Sequence, residues 1–262
     1  MKRLAPLLLI ALSLILFGCN RSEEYAVLRE AVENTNNLQR SKADFIAEMT
    51  FENRAATLLF LQGSYSLDRE EQLMNSQLVE MYLGSSGSLS EMYYDGYVYT
   101  QTEERKSRYP MEAQELFGYL YFAQPINFEY KDIKKLKQSE NIRGTLYSFT
   151  VKSGYDEELL TLLGEGIYSL AKINVPQTEK TRFGEIKVEY TVSDREGAPV
   201  LASMQTVFTV FLYETPPYTP GYTRPEEDYM LELTVRIKVS YNDFGDGVEI
   251  AVPNIEEYSD LE

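Results

Sequence analysis

Leu231 to Tyr241 reads LELTVRIKVSY. Leu231, Leu233, Val235, Ile237, Val239 and Tyr241 alternate with Glu232, Thr234, Arg236, Lys238 and Ser240. A period of two sends successive side chains to opposite faces of a strand, so one face here is dry and the other wet. That pattern belongs to an antiparallel sheet packed on one side and solvated on the other.

The same period extends in both directions. Ile186, Val188, Tyr190 and Val192 alternate with charged and hydroxyl residues. Asp194 to Pro199 (DREGAP) then turns the chain into a strand over Val200 to Tyr213. Beyond the central run, Asn242 to Gly247 is expected to turn the chain back through Val248, Ile250 and Val252. Nearer the N-terminus, Phe45, Ala47, Met49 and Phe51 form one face of a strand, with further strand-like runs at Ala56 to Leu67, Ser76 to Leu83 and Leu89 to Tyr94. Asp95-Gly96 is a two-residue hairpin signal, returning the chain as Tyr97-Val98-Tyr99. Ile142 to Lys152 reads as another strand.

Three segments carry helical spacing. In Glu23 to Gln39, Leu28, Val32, Thr35 and Leu38 share a face, with Ser22 placed to cap it. Met111 to Gln124 is rich in Leu, Phe and Tyr, and Asp156 to Lys172 carries Leu159, Leu160, Leu163, Ile167 and Leu170. The sum is an α+β pattern, with helices covering one side of a large antiparallel sheet. Gln101 to Pro110 and the proline-rich Glu214 to Asp228 read as loops, and no composition shift marks a second domain.

The first residues are of another kind. Met1-Lys2-Arg3 precedes an apolar run from Leu4 to Phe17, the layout of a secretory signal. As a helix at ~1.5 Å per residue the run reaches about 21 Å, short of the ~30 Å hydrocarbon layer. It ends at Gly18-Cys19, and Cys19 is the single cysteine of 262 residues. No internal disulfide can form, so the fold must rest on its core. The net charge of −16 repels nucleic acid and anionic head groups.

Several chemistries are removed or unsupported. The chain has no histidine, which excludes imidazole bases, serine triads and nearly all zinc sites. Glycoside hydrolysis needs two carboxyls about 5–9 Å apart across a bond, and neighbours in the six Glu-Glu doublets diverge on strand or helix. Ser169-Leu170-Ala171-Lys172 matches S-x-x-K, but Lys180-Thr181-Arg182 and Ser193-Asp194-Arg195 echo its companion motifs in reversed order with wrong final residues. Asp243-Phe244-Gly245 reads as a turn, since no P-loop or His-Arg-Asp accompanies it. No enzyme activity, metal or cofactor is expected. Lys131, Lys134, Lys135 and Lys137 read as a solvated helix face and loop.

Leu16-Phe17-Gly18-Cys19 resembles the bacterial lipobox, in which the cysteine thiol takes a diacylglyceryl group and becomes the new N-terminus. With that motif, the hairpin MYYDGYVYTQ followed by RYPM, the turn SDREGAPV and the closing VEIAVP, the chain resembles bacterial lipoproteins of the LolA and LppX type. The resemblance implies a half-barrel, a strongly curved antiparallel sheet with helices packed into its concave face. It also implies an apolar or amphipathic ligand held in a hydrophobic cavity. On this reading residues 1–18 are a signal peptide, 19–24 a tether acylated at Cys19, and 25–262 a single domain on the extracytoplasmic face of the membrane. Leu116, Phe117, Leu120, Leu159, Leu163 and Ile167 are the candidate ligand-lining residues, because their helices would lie over the dry sheet face. An alternative is a module that holds or senses another envelope protein through the tyrosine-rich hairpin and the proline-rich loop.

Overall fold

The structure, a computed structural model, describes residues 22–51, 56–82, 85–113, 123–152, 154–163, 181–213, 230–252 and 254–261. Cys19, the signal segment, Leu116, Phe117, Leu120, Ile167, the S-x-x-K motif and the proline-rich loop lie outside these residues. The central run becomes β12, Met230–Phe244, inside one 13-stranded sheet. The half-barrel with helices on one face that the sequence implies is the architecture observed.

The sheet consists of two meanders joined in the middle. The first runs β1 (Arg40–Phe51), β2 (Thr57–Asp68), β3 (Leu73–Tyr82), β4 (Ser85–Tyr94), β5 (Tyr97–Gln101) and β6 (Lys106–Pro110), each beside the last. The second runs β7 (Ile133–Asn141), β8 (Gly144–Val151), β10 (Ile186–Arg195), β11 (Ala198–Tyr213) and β12, with short β9 (Arg182–Phe183) against β11. The join is β1 against β12, antiparallel from Ser41↔Phe244 to Phe51↔Leu233. Both expected hairpin turns have left-handed residues: Asp95 and Gly96 have φ of 51° and 77°, Glu196 and Gly197 of 56° and 86°, the geometry that two-residue hairpins favour.

One face of the sheet carries the core. Phe45, Ala47 and Met49 of β1 lie beside Val239, Ile237 and Val235 of β12, and all are buried. Helix α1, residues 22–36, buries Leu28, Val32 and Thr35 of the expected stripe together with Ala31 on this inner face, and ends before Leu38, which the expected stripe included. A short α2, Asp156–Thr161, places Leu159 and, just beyond it, Leu163 in the same cluster.

Three local expectations are corrected. Gln101 to Pro110 is not a loop throughout, because Lys106–Pro110 pairs with β5 as β6. Lys131 to Lys137 is not a helix face: a single 3-10 turn, Tyr130–Asp132, leads into β7, the outermost strand. Val248 to Val252 does not return as a strand. Both sides of β12 are occupied, by β1 and β11, so no ladder was open to it. The tail instead reaches the far edge, where β13 (Ser259–Asp260) pairs in parallel with β6.

Candidate functional site

The inner face is closed differently at its two ends. Near the β11 start, α1 is keyed to the sheet: Asn34 donates from Nδ2 to the Pro199 carbonyl at 2.9 Å, and the Leu201 N–H donates to Thr35 Oγ1 at 2.9 Å. Beside α1 an irregular strap, residues 123–129, crosses the inner face. Its backbone is taken up largely by tyrosine hydroxyls. Tyr241 of β12 donates to the Ala123 carbonyl at 2.5 Å, Tyr190 of β10 to Ile126 at 3.1 Å, and Tyr25 of α1 to Phe128 at 3.0 Å. The Tyr155 hydroxyl accepts from the Glu129 N–H at 2.9 Å, and Asn36 Nδ2 donates to Pro125 at 3.1 Å. Phe128 then packs edge-on against Phe149 and Tyr155.

This explains much of the tyrosine content. A buried irregular segment must have its backbone polar groups satisfied, and tyrosine supplies apolar bulk together with a donor at its tip. Burial pushes the hydroxyls of Tyr65, Tyr190 and Tyr241 up, Tyr65 to about 12, so at neutral pH all three are donors. Between α1, the strap, Tyr65 and Tyr241 lies a pocket of about 20 Å³, room for little more than one water.

Toward the opposite end, among the described residues, the inner face carries half-buried aromatics. Phe51 at the end of β1, Tyr82 at the end of β3 and Phe183 of β9 are half-buried apolar residues packed against the core. Register sets them at one end of the inner face, through Phe51↔Leu233, Leu233↔Val210, Val210↔Phe183 and Leu59↔Tyr82. Of the predicted lining residues, Leu159 and Leu163 are brought to the inner face and are fully buried there. Sequence reasoning passed over Phe51, Tyr82 and Phe183 because each reads as an ordinary strand residue until register aligns them.

The outer face holds a groove that the sequence did not announce. Its volume is about 840 Å³ and it crosses β1 to β5, with Ile46, Gln62, Ser64, Gln77, Val79 and Ser90 among its lining. Beside it the tail folds over the sheet: Tyr258 meets Tyr99 edge-on, Lys106 lies over the Tyr258 ring, and Lys106–Glu257 and Arg108–Asp260 ion pairs hold the strand. Tyr99 of the hairpin is thereby buried, Tyr93 is buried in the core on the inner face, and Tyr97 is exposed.

No protein-family model matches the chain, and no curated protein does. Among solved structures it is similar to LprF from Mycobacterium bovis, at 10% identity over 89% of this chain and 97% of that one, with a TM-score of 0.45. It is also similar to an uncharacterised conserved protein from Thermus thermophilus, at 8% identity over 90% and 98% of the two chains, TM-score 0.33. A third likeness is to lipovitellin, at 7% identity over 82% of this chain and 26% of that one, TM-score 0.31. These likenesses concern the course of the chain.

Proposed function

We propose that this is a non-enzymatic lipoprotein, anchored through acylated Cys19 on the extracytoplasmic face of a membrane, that binds an apolar or amphipathic ligand on the inner face of its sheet. The observation that carries the reading is a set of half-buried aromatics, Phe51, Tyr82 and Phe183, that register gathers at the end of that face away from the α1 and strap contacts. Burying apolar ligand surface there contributes about 25 cal/mol per Å².

Anchoring fits the same geometry. Only Asn20 and Arg21 separate Cys19 from the start of α1, a reach of roughly 10 Å at ~3.5 Å per residue, so a diacylated Cys19 would hold the half-barrel against the bilayer. Two acyl chains suffice for stable attachment.

The test is native mass spectrometry of the full chain extracted from membranes in mild detergent. A lipid adduct is expected, lost in Tyr82→Arg with the circular-dichroism spectrum unchanged, together with a diacyl mass on the N-terminal peptide. A bare protein mass, or an adduct indifferent to Tyr82→Arg, contradicts the ligand. A Cys19→Ser chain that stays membrane-bound contradicts the anchor.

A further inference from the structure

From the distribution of charge over the sheet we infer that the outer-face groove is a binding site for a neutral oligosaccharide, separate from the inner face. Charged residues make up 25% of the chain, yet the outward positions of β2 from Phe60 to Ser66, of β3 from Leu73 to Met81, of β4 from Ser86 to Tyr94 and of β5 from Tyr97 to Gln101 carry none. The charged residues of β3 and β4, Glu80 and Glu91, lie on the inner face, and Glu91 is buried. That reverses the usual arrangement, in which carboxylates face water. The other half of the outer surface follows the usual rule, with Lys187, Glu189, Arg236 and Lys238 pointing out. A solvated sheet face in so acidic a protein has no reason to exclude charge across four strands.

The groove's chemistry selects its occupant. One row in register across the strands is Asp44, Ser64, Gln77, Ser90 and Gln101. The next is Ile46, Gln62, Val79 and Ser88. Past Asp44 the first offers neutral amides and hydroxyls, each able to donate and accept; the second adds apolar surface, with Val79 53% exposed and Met81 beyond it 44%. A sugar chain presents this same mixture of hydroxyls and C–H faces. Asp44 at the rim accepts from Asn242 Nδ2 at 2.7 Å, and Glu103 and Lys238 are the other charged residues of the lining, so no net positive charge invites a phosphate or uronate polymer. A lipid tail would leave the amides unpaired. Four inter-strand steps of ~4.8 Å span about 19 Å, the length of roughly four linked hexoses.

The test is isothermal titration of the detergent-solubilised full chain with chitotetraose and with cellotetraose, and with tetragalacturonate as the anionic comparison. Saturable binding of a neutral tetrasaccharide is expected, weakened about tenfold by Gln77→Ala, as the loss of one hydrogen bond implies, and abolished by Val79→Glu, with melting temperatures unchanged. Absence of binding by both neutral sugars, equal binding of the uronate, or indifference to both variants overturns the assignment. So does a concentration-dependent dimer that Val79→Glu dissociates, which would make a second copy the occupant. Loss of the lipid adduct by Tyr82→Arg leaves this site untouched, so the two readings fail separately.

Discussion

The hydroxyl of Thr35 accepts a 2.9 Å hydrogen bond from the backbone N–H of Leu201 and donates one of 2.7 Å to the Ala31 carbonyl. Leu201 sits where the β10–β11 register shifts, between the Thr191↔Ser203 and Val192↔Leu201 pairs, and is fully buried. Its N–H therefore depends on α1, which makes the helix beside the proposed anchor part of the core.

Thr35→Val keeps the shape and removes the acceptor. The orphaned N–H should cost about 1–3 kcal/mol, read from urea unfolding, whereas Thr35→Ser should remain near the parent. Equal stability of both variants would show that the contact is incidental.

Tyr241→Phe and Tyr190→Phe each leave a strap carbonyl without its donor. Each is expected to destabilise by about 1–3 kcal/mol and to speed amide exchange across residues 123–129 while leaving β12 protected. Uniform exchange throughout the chain would contradict a locally pinned strap.

Alkaline pH should unfold the protein early. Burial holds Tyr65, Tyr190 and Tyr241 neutral in the folded state, with Tyr65 raised from 10.0 to about 12. The unfolded tyrosines release protons at lower pH, so this stabilisation is complete below pH 10 and falls as pH rises toward the folded values. Tyr65 alone accounts for about 2 kcal/mol by pH 12. Tyrosinate absorbance should rise together with loss of near-ultraviolet dichroism; ionisation of these tyrosines while the fold persists would contradict the burial.

Gly63 is required by a close approach. A Cβ there would stand 2.2 Å from the Gln77 carbonyl oxygen and 2.8 Å from the Phe45 ring. Gly63→Ala should lose about 1–3 kcal/mol by overpacking, while Ala at Gly87, where the nearest atom is 3.5 Å away on the Glu80 side chain, should be far milder.

The lysines of β7 guard an edge. β7 is outermost, Lys134, Lys135 and Lys137 are exposed, and a register shift falls between Lys134 and Lys137, with Lys135 at φ 55°. Charge and irregularity on an open edge oppose strand addition by another chain. Lys134→Val with Lys137→Val should raise light scattering on mild heating, with little change in unfolding midpoint.

The strands easiest to read were those with one wet and one dry face, Leu231 to Tyr241 above all, because burial on one side imposes the period. Hairpins at Asp95-Gly96 and Glu196-Gly197 were legible because two-residue turns demand residues that tolerate positive φ. β7 was not, since the irregularity at Lys135 sets its two core-packed residues, Ile133 and Leu136, three apart and breaks the period of two. Ser86 to Ser90 hid the first half of β4 for the converse reason: its outer face is uncharged and its hydrophobicity low. Val248 to Val252 has a strand's pattern but no vacant neighbour, and that is decided by topology. Of the predicted lining residues, Leu159 and Leu163 are buried in the core cluster, whereas the strap, the half-buried aromatics and the groove arise from register between distant strands.

The most direct test of the inner-face account is photo-crosslinking of the full chain in membranes with a diazirine-bearing fatty acid, followed by peptide mass mapping. Labels on the peptides containing Phe51, Tyr82 and Phe183, diminished by unlabelled fatty acid, are the expected result. Labelling confined to Val79 and Met81 on the opposite face, or none that competes, would contradict it.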